Sequence, residues 1–272
     1  MLPGMVPVVR APKYFINIIK GLGLAANLKL CLDARDPASY VSGQSWLDRA
    51  GGGYDFFLGA DGSATATDPT FTGTAGSLSA YWAFDGGDYF TYDTTNEAWM
   101  QNIHKDNAKW GAFFWVYLAS TTGDPALAGT RSNSNSNIGF RINVAAGTGD
   151  RLLLLISNGS GTVSMNSTTN GATTDIPGTG QWFFVAVSVD EAVGAGGGFI
   201  QANLSASTFT STYGSPSASA ATYTMQLGAA GNATEPMTNG SRMAGAVMFE
   251  GVAPTQAQAT DFFNATRGQF GV

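Results

Sequence analysis

The run NLKLCLDARDPASYVSGQSWLDRAGGGYDFF, residues 27–57, concentrates carboxylates whose types and spacing could do chemistry. Asp33, Asp36 and Asp48 stand here beside two arginines and Trp46. Such a set could hold calcium or supply catalytic acids, but carboxylates near glycines also fix turns by accepting hydrogen bonds from backbone N–H groups. We expect these residues to form the first strand of a β-sandwich and the turns behind it.

The wider distribution of aspartates leaves calcium open. The ion takes roughly six to eight oxygen ligands, usually from several carboxylates and carbonyls of one loop system. Asp85 with Asp88, or Asp48 with Asp55 and Asp61, could contribute, but no run reproduces the Asp-x-Asp-x-Asp-Gly pattern of a calcium loop. We therefore predict no metal site and no cofactor, with calcium as the alternative.

Glycosidases on a β-sandwich carry two acids at alternate positions of one strand, so that one carboxyl donates a proton while the other attacks. Cys31 and His104 are the single cysteine and histidine, which excludes an intrachain disulfide and multi-histidine metal sites. None of the glutamates belongs to a Glu-x-Asp-x-Glu or Glu-x-Asp-x-x-Glu strand; they are Glu97, Glu191, Glu235 and Glu250. We expect a non-catalytic protein with no catalytic residues.

Aromatic residues beside turns suggest a different chemistry, the recognition of sugars. Exposed rings stack on pyranose faces, while nearby Asn and Asp side chains bond the hydroxyl groups. Tyr54, Tyr92, Trp99 and Tyr213 lie at or next to turn signals and are the predicted glycan-binding residues. The competing interpretation for each is a ring buried in the core.

The composition indicates which elements must position these residues. The 272 residues are 44% hydrophobic and only 12% charged, with 36 glycines, which favours strands ended by turns over long charged helices. A single all-β domain of this length buries a sizeable core. The net charge of −6, without a cluster of Lys and Arg, argues against nucleic acid as a partner. No stretch approaches the ~20 apolar residues of a membrane span.

Residues 1–27 are predicted to form an N-terminal arm, and residues 28–272 are predicted to form the sandwich. Prolines favour an extended lead-in, no secretory-signal pattern is present, and a short amphipathic helix follows. We predict that the apolar face of this helix docks on a partner protein, the alternative being that it covers the sandwich of its own chain. The residues of this face are Tyr14, Phe15, Ile18, Ile19 and Leu22.

Periodicity predicts the longer strands and the closing helix. WGAFFWVYLAS, residues 110–120, is apolar on both alternating faces, which is typical of a central strand covered on both sides. IGFRINVAA and DRLLLLISNG form a predicted hairpin with Arg141 and Asn143 pointing outward, and YWAFDGGDYFTYD forms another across residues 85–87. Thr255 and Gln258 match a capping box at the start of a C-terminal helix.

Five segments in chain order resemble the laminin-G-like, concanavalin A-like jelly-roll family. Each segment is short, but their order follows the family from about residue 28 to residue 270. The resemblance implies an all-β, two-sheet antiparallel jelly-roll sandwich with a short C-terminal helix. The segments are LDARDPASYVSGQSWLDRAGGGYD at 32–55, FDGGDY at 84–89, WFFVAVSVD at 182–190, GAVMFEGV at 245–252 and PTQAQATDFF at 254–263.

For function, the resemblance implies a phage protein, since jelly rolls of this type occur on virion surfaces. We therefore predict a non-catalytic structural subunit of a virus particle, either a capsid decoration or a tail-associated protein, at the virion surface. Its expected partners are other virion proteins and host-surface glycans, and a homo-oligomer is left open. The alternative is an extracellular carbohydrate-binding module or adhesin outside a virion.

Overall fold

The computed structural model describes residues 14–147, 149–161 and 163–272, in which two antiparallel sheets face each other. The predicted all-β jelly-roll sandwich is confirmed, while the arm before residue 14 lies outside the described residues. The strands are β1 (Leu28–Asp33), β2 (Ser45–Trp46), β3 (Phe56–Leu58), β4 (Thr70–Thr72), β5 (Tyr81–Ala83), β6 (Phe90–Tyr92), β7 (Lys109–Tyr117), β8 (Ala126–Gly129), β9 (Ile138–Ala145), β10 (Arg151–Asn158), β11 (Val163–Asn166), β12 (Thr174–Asp175), β13 (Trp182–Asp190), β14 (Gly198–Ala202), β15 (Ser205–Thr208), β16 (Gln226–Leu227) and β17 (Arg242–Glu250). The helices are α1 (Phe15–Gly21), α2 (Ala98–Asn102) and α3 (Gln256–Thr266).

Two sheets divide the strands between them. In the described part of the chain, sheet A has the order β15-β14-β13-β7-β17-β5-β4, with β1 also paired to β17. Sheet B has the order β11-β10-β9-β8-β16-β6-β3-β2, with β12 also paired to β10. This topology places β3, β6 and β16 side by side, although they come from distant parts of the chain.

Strand β7 lies in the middle of sheet A and is apolar on both faces, as its sequence predicts. Trp110, Phe114 and Val116 belong to the core between the sheets. Phe113 and Trp115 belong to a second core on the outer face of sheet A. A strand of this kind needs cover on both sides. Helices α1 and α3 supply the cover on the outer face.

Helix α1 packs on the outer face of sheet A, so the prediction that its apolar face docks on a partner protein is wrong. Phe15, Ile18 and Ile19 are buried against the chain's own residues, and Tyr14 and Leu22 are half-buried beside them. The physical reason is that sheet A offers an apolar outer surface on which the helix removes its own apolar face from water. Residue 28 therefore marks where the sheets begin, and the helix before it packs on the sandwich.

Two glycines in the central strands make room for the helices. A Cβ on Gly245 of β17 would lie 2.3 Å from the Phe15 ring, and one on Gly111 of β7 would lie 2.4 Å from Pro254. The Phe15 ring reaches the Phe262 ring of α3, at 5.0 Å between centroids. The missing side chains at these two positions thus set how closely the helical layer approaches sheet A.

A buried ion pair connects α1, β1 and the C-terminal residues. Asp33 Oδ2 accepts a hydrogen bond from the Phe15 N–H at 2.9 Å, and Oδ1 accepts one from Arg35 Nε at 2.8 Å. The Arg35 guanidinium lies over the rings of Phe15 and Phe270, at 4.2 and 4.8 Å from their centroids. It also donates to the side chain of Gln269. Because both charged groups are buried, these contacts replace the water that the groups have lost.

The other acidic residues of the first run fix turns, as predicted. The Asp48 carboxylate accepts hydrogen bonds from the N–H groups of Cys31, Ala50 and Gly52, at 2.8–3.2 Å. Burial raises the pKa of Asp48, whereas these N–H donors lower it. Trp46 is buried in β2. The acidic residues of this run thus hold the turns behind the first strand.

The segment YWAFDGGDYFTYD crosses from one sheet to the other, so the predicted hairpin at residues 85–87 is wrong. Strand β5 pairs with β4 and β17 in sheet A, whereas β6 pairs with β3 and β16 in sheet B. Asp88 Oδ2 accepts a hydrogen bond from the Asp85 N–H at 2.8 Å, and Gly86 adopts a φ of 103°. The strands face each other across the core, where the Trp82 and Phe90 rings pack 5.2 Å apart.

The hairpin of β9 and β10 and the cap of α3 are confirmed. Strands β9 and β10 pair antiparallel along their whole length. Helix α3 begins at a capping box, in which the Gln258 N–H donates to Thr255 Oγ1 at 3.2 Å and the Thr255 N–H donates to Gln258 Oε1 at 2.9 Å. These bonds satisfy backbone donors that the first turn of a helix leaves unpaired.

Candidate functional site

A groove of about 650 Å³ lies on the outer face of sheet B, the face turned away from sheet A. Its floor contains Phe57 of β3 and Thr91 of β6, which are direct partners across the two strands. Gln226 of β16 continues the same row, and its Nε2 donates to Thr91 Oγ1 at 3.2 Å. The floor therefore combines a half-buried ring with a hydroxyl group, to which the Gln226 amide donates from the neighbouring strand.

Residues 93–96 and 220–224 form the walls of the groove. Asn96 ties them together, because its Nδ2 donates to the Tyr223 carbonyl at 2.8 Å and its Oδ1 accepts from the Met225 N–H at 2.7 Å. These bonds fix the backbone on both sides of Tyr223. The backbone of the half-buried Tyr223 is thus fixed at the wall of the groove.

The charged groups of the groove are acidic. Asp61 and Asp93 line it, and no Lys or Arg does so in the described part of the chain. Burial raises the pKa of Asp93, and the nearby carboxylate of Asp55 raises it further. Asp61 Oδ1 accepts a hydrogen bond from the Ser63 N–H within its own turn, at 2.8 Å. Such a groove repels anions and suits a neutral ligand with many hydroxyl groups.

Three of the four aromatic residues predicted to bind glycans are buried, and for them the prediction is wrong. Tyr92, Trp99 and Tyr213 belong to the core between the sheets. Tyr213 Oη accepts from Trp110 Nε1 and donates to the Ile103 carbonyl, each at 2.8 Å. The physical reason is that a large ring beside a turn removes more apolar surface from water when it points inward. The hydroxyl groups of the two tyrosines find acceptors within the protein.

Tyr54, the fourth predicted residue, is half-buried beside the same cluster. Its ring packs at 6.3 Å from Tyr92 and 5.6 Å from Trp99, measured between centroids. Tyr92 lines the groove, but its hydroxyl donates to Glu97 Oε1 at 3.0 Å, and burial raises its pKa to about 12. The structure thus brings Tyr54, Tyr92 and Trp99 together as a packed aromatic cluster beside the groove.

The aromatic residues that do line the groove at half-exposed positions, Phe57 and Tyr223, were not predicted. Alternation could have identified Phe57, because Phe56 and Leu58 on either side of it are buried in the core. Tyr223 is the one aromatic residue of the polar segment SASAATYTMQL. Thr222 and Thr224 flank this ring, and a single ring between polar residues is a signal for a surface role.

The described ranges lack both a metal cluster and a membrane span. No group of three or more His, Cys, Asp or Glu side chains in them is arranged to hold a metal ion. Asp85 and Asp88, the pair considered for calcium, bond to the backbone of their own turn. No helix found there has both the length and the apolar character that crossing a bilayer requires.

The glutamates serve structural bonds rather than a shared site. Glu97 accepts from the Tyr92 hydroxyl, and Glu191 accepts from the Asn107 N–H at 2.6 Å. Glu250 accepts from Asn102 Nδ2 at 2.8 Å and pairs with Lys29. Glu235 pairs with Arg141. None of them lines the groove.

No protein-family model matches the chain, and no curated protein matches it. Solved structures do share its fold. A domain of the GH43 extracellular arabinanase AbnA from Geobacillus stearothermophilus, solved with arabinotriose, has a TM-score of 0.55 at 18% identity, over 87% of this chain and 98% of that domain. The botulinum neurotoxin type G receptor-binding domain has a TM-score of 0.55 at 13% identity, over 88% of this chain and 51% of that one.

A third similar structure is a sialidase from Trypanosoma rangeli, solved in complex with sialic acid. It has a TM-score of 0.54 at 11% identity, over 90% of this chain and 34% of the sialidase. The chain thus spans about half of the toxin domain and a third of the sialidase, but nearly all of the arabinanase domain. The similarities establish that the chain shares its sandwich fold with the arabinanase domain and with parts of the other two proteins.

Proposed function

We propose that the chain is a glycan-binding jelly-roll module whose groove on sheet B takes neutral, hydroxyl-rich sugar residues. The observation that carries this proposal is the lining of the groove, with Phe57 and Tyr223 among hydroxyl, amide and carboxylate groups and no cation in the described residues. Rings contact the apolar faces of sugars, and the polar groups bond their hydroxyls. The arabinanase domain solved with arabinotriose supports the proposal, because this chain has the same fold and spans 98% of that domain.

Replacing either ring should weaken glycan binding about tenfold. A pair of aromatic rings gains about 0.5–1.5 kcal/mol beyond its buried area, we take a ring on a sugar face to contribute a similar amount, and ~1.4 kcal/mol corresponds to a factor of ten in Kd. We expect a glycan array to identify neutral oligosaccharides that bind, and calorimetry with the best of them to give a raised Kd for Phe57→Ala and Tyr223→Ala.

The matched control for these variants is Leu204→Ala, since Leu204 is exposed at the turn between β14 and β15 of the other sheet. This variant should bind like the natural chain. Binding by Tyr223→Ala and Phe57→Ala that equals that of the control would contradict the groove as the site.

We propose further that the module is non-catalytic. Two observations support this proposal: the glutamates are engaged in structural bonds and do not line the groove, and Asp61 accepts a hydrogen bond within its own turn. Asp93 is the groove acid with a raised pKa. Cleavage of a bound oligosaccharide that disappears in Asp93→Asn would overturn this proposal.

The role of such a module in a phage particle is a proposal that rests on the order of the five sequence segments. According to this proposal, the chain is a structural subunit of the capsid or tail, is exposed at the virion surface and contacts other virion proteins. Because α1 is buried by its own chain, attachment would use another surface. We expect mass spectrometry to find the chain in particles purified on a density gradient. Its presence only in the surrounding medium would favour the extracellular adhesin.

A further inference from the structure

A second cavity, of about 350 Å³, lies at the end of the sandwich where β7 begins and β17 ends, and we call it the end cavity. Its buried lining is apolar and includes Trp99, Ile103 and Trp110 of the core between the sheets. Its more exposed lining is polar and consists of Asn102, Lys105, Asp106, Asn107, Lys109 and Glu250. An apolar base with a few polar groups around it is typical of a binding site for a small molecule.

Hydrogen bonds fix the segments that form the end cavity. Asn102 Nδ2 of α2 donates to Glu250 Oε1 at the end of β17, at 2.8 Å. The Asn107 N–H donates to Glu191 Oε2 at 2.6 Å. These bonds join the connection between α2 and β7 to distant parts of the chain. The polar groups around the cavity therefore have defined positions.

Three polar side chains of the end cavity are free to contact a ligand. Lys109 and Glu250 form ion pairs with residues outside the cavity. The side chains of Lys105, Asp106 and Asn107 form no ion pair or hydrogen bond with any described residue. An ammonium group donates, a carboxylate accepts and an amide does both. Because a sugar hydroxyl is also both donor and acceptor, this set suits a ligand rich in hydroxyl groups.

The end cavity and the groove are adjacent across α2. Gln101 lines the groove, and its Oε1 accepts from the Ala221 N–H at 2.6 Å. Asn102, the next residue, lines the end cavity. Successive residues of a helix point about 100° apart, and a helix with its side chains is about 10–12 Å across. The two openings are therefore separated by roughly one helix diameter.

A third depression, of about 490 Å³, lies between the two. It is lined by Lys105, Asp106, Pro216 and Ala218. It shares Lys105 and Asp106 with the end cavity, while residues 216–218 lead directly into the groove wall at 220–224. His104 Nε2 donates to the Ser219 carbonyl at 2.9 Å and so holds this segment beside α2. The three openings therefore follow one another along α2 and residues 216–224.

We propose that the groove and the end cavity are two parts of one binding surface for a neutral oligosaccharide that extends past α2. The groove holds one part of the ligand, and Lys105, Asp106 and Asn107 bond the hydroxyl groups of a further sugar residue. This inference rests on the proposed function of the groove and adds the length of the ligand as a property that the protein selects. A ligand that reaches both parts makes the second set of contacts within the same complex, so its affinity is higher.

A length series of the oligosaccharide that binds best on the array tests the inference by calorimetry. We expect Kd to fall about tenfold between oligomers that fill only the groove and oligomers long enough to pass α2, because the second part contributes contacts without a second association. The fall should then level off. A Kd that does not change from the shortest oligomer that binds to the longest would overturn the inference.

The double variant Lys105→Met with Asn107→Gly assigns this gain to the end cavity. Methionine keeps the unbranched stem of the lysine without its charge, and glycine accepts the φ of 58° at residue 107 and keeps the N–H that donates to Glu191. We expect the variant to bind short oligomers like the natural chain and to lose the additional affinity for long ones. Its unchanged affinity for short oligomers shows that it is folded. Lys20→Met, which removes an exposed lysine of α1 on the other sheet, should bind both like the natural chain.

Tyr223→Ala separates this inference from the proposed function. It should weaken short and long oligomers alike, because both occupy the groove. A gain with length that is as large in the double variant as in the natural chain would overturn the end cavity and leave the groove. Short oligomers that bind Tyr223→Ala and the natural chain equally would overturn the groove, and the two-part surface with it.

Discussion

A chain shortened to begin at Ala25 should fail to fold or should melt far below the full chain. The truncation removes α1, in which Phe15, Ile18 and Ile19 are buried on sheet A. Burial of one such side chain contributes about 1.5–3 kcal/mol, so the three together approach the ~5–15 kcal/mol stability of a whole domain. The truncation also uncovers the Phe113 and Phe249 rings of sheet A. Circular dichroism during heating, with light scattering for aggregation, measures the effect.

A chain that begins at Lys13 is the matched control, because it keeps α1 and removes only the residues before it. The melting temperature of the Ala25 chain is compared with that of this shorter chain, so that the difference measures the loss of the segment that carries α1. A folded, monomeric Ala25 chain with an unchanged melting temperature would mean that α1 adds little to the sandwich and that its apolar face is available to a partner after all.

Removing one member of the Asp33–Arg35 pair should cost about 3–5 kcal/mol of unfolding free energy. Asp33→Ala leaves the buried Arg35 guanidinium without its counterion and the Phe15 N–H without its acceptor. An uncompensated buried charge is the reason for a penalty of this size. Urea unfolding at neutral pH, with the midpoint and slope fitted for each variant, gives the free energy.

Lys109→Ala provides the comparison for this variant, since Lys109 and Asp190 form an ion pair near the surface with the lysine side chain 47% exposed. We expect it to cost less than about 1 kcal/mol, because water screens and solvates such pairs. The double variant Asp33→Leu with Arg35→Met should recover part of the loss, since it removes both buried charges. Equal small costs for Asp33→Ala and Lys109→Ala would show that the buried pair is not needed for stability.

The fold could be predicted where the pattern of apolar residues within one continuous segment determines its environment. Strand β7 is an example, because its two apolar faces require a layer on each side, and α1 and α3 provide the second layer. The crossing at Asp85–Asp88 could not be predicted in the same way. Turn residues indicate that the chain reverses, but only the distant partners β17 and β16 decide that β5 and β6 belong to different sheets.

The candidate site was harder to predict because its residues meet only through the topology. Phe57, Thr91 and Tyr223 come from three distant segments and share a groove because β3, β6 and β16 are neighbours. Proximity to a turn suggested Trp99 and Tyr213 instead, but it cannot tell whether a ring points inward. The burial of Arg141 could not be predicted for a related reason, since alternation gives the direction of its side chain but not the distant Glu235 that pairs with it.

The Arg35 side chain meets Phe15 from the start of the described chain and Phe270 from its end, both on the outer face of sheet A. The groove opens on the opposite side of the sandwich, on sheet B. A fluorescent protein, a resin or a larger scaffold joined after Val272 therefore leaves the molecule from behind the groove. When many copies are immobilised through that end, each one presents its groove toward the solution, and if the groove binds glycans as proposed, several copies would hold one branched polymer at once.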